Sequence, residues 1–348
     1  MLSRAFHDRR KMGPTKSPRG AEDGGSVGSN NSRSRSYQQD DDEEPFGYMT
    51  DLPLTFCGGP RFRPLGLREV LQSSVQVLGE SGLGISEKIV LSDGVFAAKR
   101  FRRVSVSKSE FRRRVERLAH VSARCEYLVP LRAYVYAKRV KVVLCRYYAM
   151  GSLADLLTGA RDLGHTPLDW HKRLVIILHV ARAISFIHSQ SPPQEKHLQM
   201  NAHGNIKASN VFVQIDFSAC LSDYGFVQLA ERPESVVVRP KMPEITDFAG
   251  KSSQRCELTQ KSDIYHFGIM VLDLLGGPTA PFQINCILER KEEIKAGKIS
   301  FFEFIVEGTA KKRALKVLDM ALSCTNRSPD ARPTIDQILG VLREVWTV

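Results

Sequence analysis

His203-Gly204-Asn205-Ile206-Lys207-Ala208-Ser209-Asn210 is a short polar phrase, and Ser222-Asp223-Tyr224-Gly225 follows it, with Asp223 thirteen residues beyond Asn210. Between the two lie strand-like pieces, Val211 to Ile215 and Ala219 to Ser222. An Asn or Asp in a loop ordinarily forms a turn through its own side chain, so the pair alone says little. Downstream the order continues with Pro243-Glu244, then Asp263-Ile264-Tyr265-His266-Phe267-Gly268, and Arg332-Pro333 near the C-terminus. Upstream, Leu78-Gly79-Glu80-Ser81-Gly82-Leu83-Gly84 precedes Lys99. Glycines let a backbone pass close over a polyphosphate that a lysine can neutralise, although a glycine turn between strands is common.

The periodicity around these phrases changes character along the chain. Val75 to Leu78, Lys88 to Leu91 and Val95 to Phe101 read as strands, with Asp93-Gly94 a hairpin signal. Ser109 to Val121 reads as a helix carrying Phe111, Val115, Leu118 and Val121 along one side. Leu131 to Ala137 and Lys141 to Tyr147 read as two further strands. After Met150 helices dominate, expected at 151–158, 169–189, 261–275, 310–324 and 334–346. The fold class is therefore α+β: a small antiparallel sheet lobe with one helix (65–148), then a larger, mainly helical lobe (149–346), with a cleft near Met150.

The 348 residues allow about two domains, or one bilobal domain and a tail, at roughly 150 residues each. Residues 1–60 hold Gly, Ser, Arg and the acidic block Asp40 to Glu44, too few apolar groups to offset the entropy of ordering, and are expected to be a disordered tail. No apolar run reaches the roughly 18 residues of a membrane span, and Leu174 to Ile187, interrupted by His179 and Arg182, reads as a buried helix. Met1 to Gly13 lacks the apolar core of a signal peptide. Seven cysteines, scattered and without a C-x-x-C pair, point to reduced thiols rather than a disulfide framework or a metal cluster. Net charge is +12, and residues 99–146 alone carry 15 Lys/Arg against 3 Asp/Glu. Without aromatic platforms or a nucleic-acid motif, that stretch reads as a solvated basic face, or a docking face for an acidic partner or an anionic lipid.

In this order and spacing the phrases resemble the signature set of eukaryotic protein kinases over roughly residues 65–346. Gly59-Pro60-Arg61-Phe62, Leu128-Val129-Pro130-Leu131-Arg132-Ala133-Tyr134 and His203-Gly204-Asn205-Ile206-Lys207 are similar to plant leucine-rich-repeat receptor-like kinases, a branch rich in inactive members. The resemblance implies a bilobal kinase fold that holds ATP and Mg²⁺. It makes Lys99 the lysine on the α- and β-phosphates, Asn210 and Asp223 the metal ligands, and Lys207 the lysine on the γ-phosphate. It makes Arg146-Tyr147-Tyr148 the hinge whose backbone reads adenine, and it lines the cleft with Gly79, Gly84 and Ala97. Cys145 falls where the pocket narrows, Asp263 and His203 brace the catalytic loop, and Glu244 pairs with Arg332.

The departures decide the expected function. Where the family has the catalytic aspartate of H-R-D, this chain has Asn205, and an amide cannot act as a base at neutral pH; losing a general base typically costs ~10²–10⁴ in rate. Gly204 replaces the neighbouring arginine, Ser81 replaces the middle glycine, Tyr224 replaces the phenylalanine of D-F-G, and Ser235 is the one hydroxyl phosphosite beyond Tyr224 in residues 223–244. For the small-lobe glutamate, counting back from Leu128 gives Glu116, while matching the apolar face gives Arg114, with Glu110 one turn earlier. The second register is preferred, because the first would turn Ala119, His120 and Ala123 to the core. The expectation is a pseudokinase, a scaffold or allosteric partner with residual ATP binding. The alternative is an active, atypical Ser/Thr kinase. Protein partners such as receptor kinases, no nucleic acid, and a cytoplasmic location, in the cytosol or at the inner face of the plasma membrane, complete the reading.

Overall fold

The computed structural model describes residues 52–58, 64–162, 168–190, 201–230, 258–277 and 283–347. Strands β1 (Thr55–Phe56), β2 (Ser74–Ser81), β3 (Gly84–Leu91), β4 (Gly94–Phe101), β5 (Leu131–Tyr136) and β6 (Lys141–Arg146) form one antiparallel sheet in the order β1-β5-β6-β4-β3-β2. The Asp93-Gly94 signal lies at the β3–β4 hairpin, where Leu91 faces Gly94 and the register runs on to pair Ser86 with Lys99. Side chains alternate between the faces of a strand. Ile89, Phe96, Ala98, Ala133, Val142 and Leu144 pack on one face with Leu54, Leu65 and the helix α1 (Leu67–Gln72). Phe101, Tyr134, Val143 and Cys145 belong instead to the main core, with Phe111, Val115 and Leu118 of the helix α2 (Lys108–Ala123).

The tail expected over residues 1–60 needs a correction at its C-terminal end. Thr55–Phe56 pairs with β5 and Leu54 is buried, so part of this stretch closes the sheet. Its two paired residues are too short a run for periodicity to register. Residues 1–51 lie outside the described residues.

The helical part comprises α3 (Leu153–Asp162), α4 (Trp170–His188), α5 (Phe226–Ala230), α6 (Gln260–Gly276), α7 (Gln283–Glu289), α8 (Lys291–Lys295), α9 (Gly308–Cys324) and α10 (Ile335–Thr347), with the hairpin β7 (Val211–Val213) and β8 (Ala219–Leu221). The apolar run 174–187 is the buried helix α4, capped by Asp169, whose carboxylate accepts the Lys172 N–H. Its buried Arg173 donates to the Leu168 and Leu274 carbonyls and lies over the Phe304 ring, which satisfies a charge the core could not otherwise hold. Thr259 and Ser262 form a reciprocal capping box at the start of α6. Trp170 stacks on Phe304, and Trp346 of α10, 44% exposed, packs beside His171 of α4. No helix among the described residues is long and apolar enough to cross a membrane.

The two parts are stitched together directly. The Val129 N–H donates to the Leu221 carbonyl, and the Leu221 N–H donates to the Tyr127 carbonyl. This fixes the turn after α2 to β8 and places the loops after β6, before β7 and after β8 around one cleft.

Candidate functional site

Asp223 follows β8 in the left-handed region, at φ +62°, an uncommon conformation for a residue with a side chain. That turn aims its carboxylate at β4. Its Oδ2 lies 3.5 Å from Lys99 Nζ, and its Oδ1 accepts the Ser222 hydroxyl at 3.2 Å. Lys99 also donates to the hydroxyls of Ser81 at 3.2 Å and Ser86 at 3.3 Å and is only 7% exposed. The residue that stands where a glycine was expected therefore holds the lysine. Ser86 was not singled out from the sequence, although the hairpin register alone places it opposite Lys99.

The 203–210 phrase is a braced loop. Asp263 of α6 accepts the N–H of His203 at 2.7 Å and of Gly204 at 2.9 Å, and also contacts His188 Nε2 at 3.0 Å. The Asn205 N–H donates to His203 Nδ1 at 3.1 Å, so Nε2 carries the proton and donates to the Ser222 carbonyl at 2.9 Å. Burial pulls the His203 pKa below its ordinary value, with Asp263 and Asp223 opposing the shift, which matches this neutral tautomer. Asn210, buried, donates from Nδ2 to the Asn205 carbonyl at 2.8 Å and accepts the Ser222 N–H on its own carbonyl. Gly204 has φ +80°, and a Cβ there would come within 2.0 Å of Leu258 Cδ1, so the place of the missing arginine is one that suits glycine. Lys207 lies where desolvation lowers its pKa and where Asp223 and Lys99 both act on its charge.

Gly225 at φ +70° lets the chain pass under α2, since a Cβ would lie 2.4 Å from Leu118 Cδ2. Tyr224 is buried 6.1 Å from the His203 ring. On α2 the two registers are resolved. Arg114 is 2% exposed, and its guanidinium donates to the Gln228 carbonyl of α5 and to Glu110. Glu116 points outward, paired with Arg112 at 2.9 Å and accepting the Tyr134 hydroxyl at 3.1 Å. With Arg114 turned to α5, Lys99 finds its counterion in Asp223 and not on α2.

At the far end of the cleft, Ala97 pairs with Cys145 across β4 and β6. Cys145 is buried, which pushes its thiol well above the ordinary range and keeps it protonated. Arg146 is exposed with its guanidinium over the Tyr148 ring, Lys88 lies over Tyr147, and Tyr148 stacks on Phe212. Gly79 has open space around it, while Gly84 is needed against β4, where a Cβ would meet the Arg100 carbonyl oxygen at 2.0 Å. A cavity of about 670 Å³, lined by Cys125, Tyr127, Tyr148, His179 and Cys220 among others, shares Arg146 and Tyr148 with the hinge segment but not Lys99, Asn210 or Asp223. Arg332 donates to the Lys261 and Asn326 carbonyls; Pro243, its expected partner Glu244, and Ser235 lie outside the described residues.

A two-part α+β fold with a lysine and an aspartate meeting across a cleft, over a braced polar loop, defines the protein kinase class. Residues 96–342 match the family described as protein tyrosine and serine/threonine kinase, and the chain belongs to it. Among curated proteins of Arabidopsis thaliana it is similar to a probable inactive receptor kinase (29% identity, covering 84% of this chain and 46% of that protein). It is also similar to an inactive leucine-rich repeat receptor-like serine/threonine-protein kinase (32%, 80% and 45%) and to the leucine-rich repeat receptor-like protein kinase PXC1 (29%, 95% and 51%). The chain spans about half the length of these relatives. Among solved structures it resembles the pseudokinase domain of BIR2, an immune regulator, at TM-score 0.68 and 22% identity, covering 84% of this chain and 90% of that one. The maize SIRK1 kinase domain bound to AMP-PNP gives TM-score 0.68 at 24% identity, covering 84% and 100%.

Proposed function

We propose that the chain is a pseudokinase: it binds ATP in the cleft and acts through protein partners, with phosphoryl transfer strongly impaired. The observation that carries this reading is Asn205. It stands at the position of the catalytic base, in a loop held by Asp263 and His203, and offers an amide where a proton acceptor is needed. Nucleotide binding is supported by Lys99, Lys207, Asn210 and Asp223 around one cleft and by the 146–148 hinge. Asn210 and Asp223 fit a cation that keeps several waters and phosphate ligands, since the carboxylate and the Asn210 amide oxygen are two hard donors on adjoining loops. Magnesium held by these two residues would supply positive charge that neutralises phosphate.

The same convergence favours the second reading, a slow but active Ser/Thr kinase, because positioning and charge neutralisation supply most of phosphoryl-transfer catalysis. A radiolabel transfer assay on purified wild type and Asn205→Asp separates them. No incorporation by wild type, with gain in the variant, supports the pseudokinase; robust incorporation by wild type overturns it. Receptor kinases are the proposed partners, in line with the receptor-like relatives. The proposed location is the cytoplasm, with the basic stretch 99–146 against the inner face of the plasma membrane.

A further inference from the structure

The phosphate end of the cleft has an unusual charge balance. Lys99 and Asp223 offset one another at 3.5 Å. Arg114, at the position preferred for the small-lobe glutamate, is neutralised by Glu110 and turned to the Gln228 carbonyl. Asn205 is uncharged. The Lys207 ammonium has no salt bridge to any described residue, yet it lies within electrostatic range of both Lys99 and Asp223. Among the described residues, then, Lys99 and Lys207 set two ammonium groups against the Asp223 carboxylate at this end of the cleft.

Both oxygens of that carboxylate are already engaged, Oδ2 by Lys99 and Oδ1 by the Ser222 hydroxyl. A cation at Asp223 would have to share or displace the lysine. A polyphosphate has the opposite relation to the site, because it can draw Lys99 and Lys207 onto its own oxygens. A carboxylate ~5 Å from a single phosphate charge opposes binding by roughly 200–300-fold at an effective dielectric near 20, and its removal relieves that repulsion. Both Asn205 and Arg114 stand where the family resemblance puts such carboxylates.

We propose that this cleft binds ATP in a metal-independent manner, with Lys99 and Lys207 supplying the countercharge that a divalent cation would otherwise bring. The inference rests on the nucleotide-binding reading above. It is tested by thermal unfolding of the full chain with ATP in EDTA and with ATP in Mg²⁺, since a ligand of the native state raises the midpoint. The expected result is an apparent Kd in EDTA within ~threefold of that in Mg²⁺, and much weaker stabilisation by AMP. Asp223→Asn should retain or tighten binding in EDTA, and Lys207→Met, at an exposed residue, should weaken it by roughly tenfold through loss of one countercharge. Stabilisation that requires Mg²⁺, equal stabilisation by AMP, or an unaltered Lys207→Met overturns the proposal. No stabilisation by ATP under either condition overturns the nucleotide reading itself, and the proposal falls with it.

Discussion

Replacing Arg114 by Met removes a buried charge while keeping most of the side-chain volume. The structure sets the size of the effect. The guanidinium is 2% exposed and makes two hydrogen bonds, to the Gln228 carbonyl and to Glu110. A hydrogen bond involving a charged group contributes ~1.5–3 kcal/mol net, and breaking a buried pair costs ~3–5 kcal/mol. Glu110 is 31% exposed and recovers some hydration when its partner is lost, which places the cost near the lower end, at about 3 kcal/mol. For a domain of this size each kcal/mol moves the midpoint by ~2–4 °C, so the variant should melt ~6–12 °C lower. Glu116→Gln is the paired control. Its carboxylate is 45% exposed and its partner Arg112 68%, so the variant should lose less than ~1 kcal/mol. Urea unfolding followed by circular dichroism reads both. If Glu116→Gln costs as much as Arg114→Met, the assignment of Arg114 as the residue that joins α2 to α5 is wrong.

Further outcomes can be stated. Gly225→Ala forces a left-handed residue with a side chain against Leu118 and should destabilise by ~2–4 kcal/mol, partly recovered when Leu118 is also shortened to Val; an unchanged urea midpoint contradicts the packing. His203 has its pKa depressed by burial, as do His266 and His179, so the unfolded chain binds more protons at mildly acidic pH. Their contribution to stability is complete above ~6.5, the ordinary histidine value, and is lost as pH falls through the depressed values. The urea midpoint should therefore drop between pH 7.5 and 5.5, and a flat or rising profile would refute the neutral His203 tautomer. Asn205→Asp should introduce or greatly raise label transfer, by up to ~10²–10⁴ if the base alone is missing, and no gain would show that more than the base is lost.

Much of the site was legible because its residues lie on short, locally determined segments. Asn205, Lys207, Asn210 and Asp223 fall within about twenty residues, and the hairpin between them brings both ends to one place. Lys99 could be placed on β4 from period-2 alternation. Its partner Ser86 follows only from the register of the β3–β4 hairpin, since the strand pattern of Lys88 to Leu91 starts beyond it. Arg114 could be read as core-facing from the apolar stripe of α2, yet its acceptor could not. Gln228 is 114 residues away, and nothing in the local pattern of 226–230 marks a carbonyl aimed at an arginine.

What the sequence determined by itself, then, was the order of β2 to β8 and of the longer helices α2, α3, α4, α6, α9 and α10, the α+β class and the loss of the base at Asn205, since these depend on residue type and on periods of two or 3.6. The tertiary structure alone decided how the charges are shared: Lys99 with Asp223, Ser81 and Ser86, Arg114 with Glu110 and α5, and Lys207 without a salt bridge among the described residues. It also brought Thr55–Phe56 into the sheet. The reason is physical. Secondary structure follows from interactions within a few residues, whereas the partner of a buried charge is chosen by desolvation, which acts only once distant segments have closed around it.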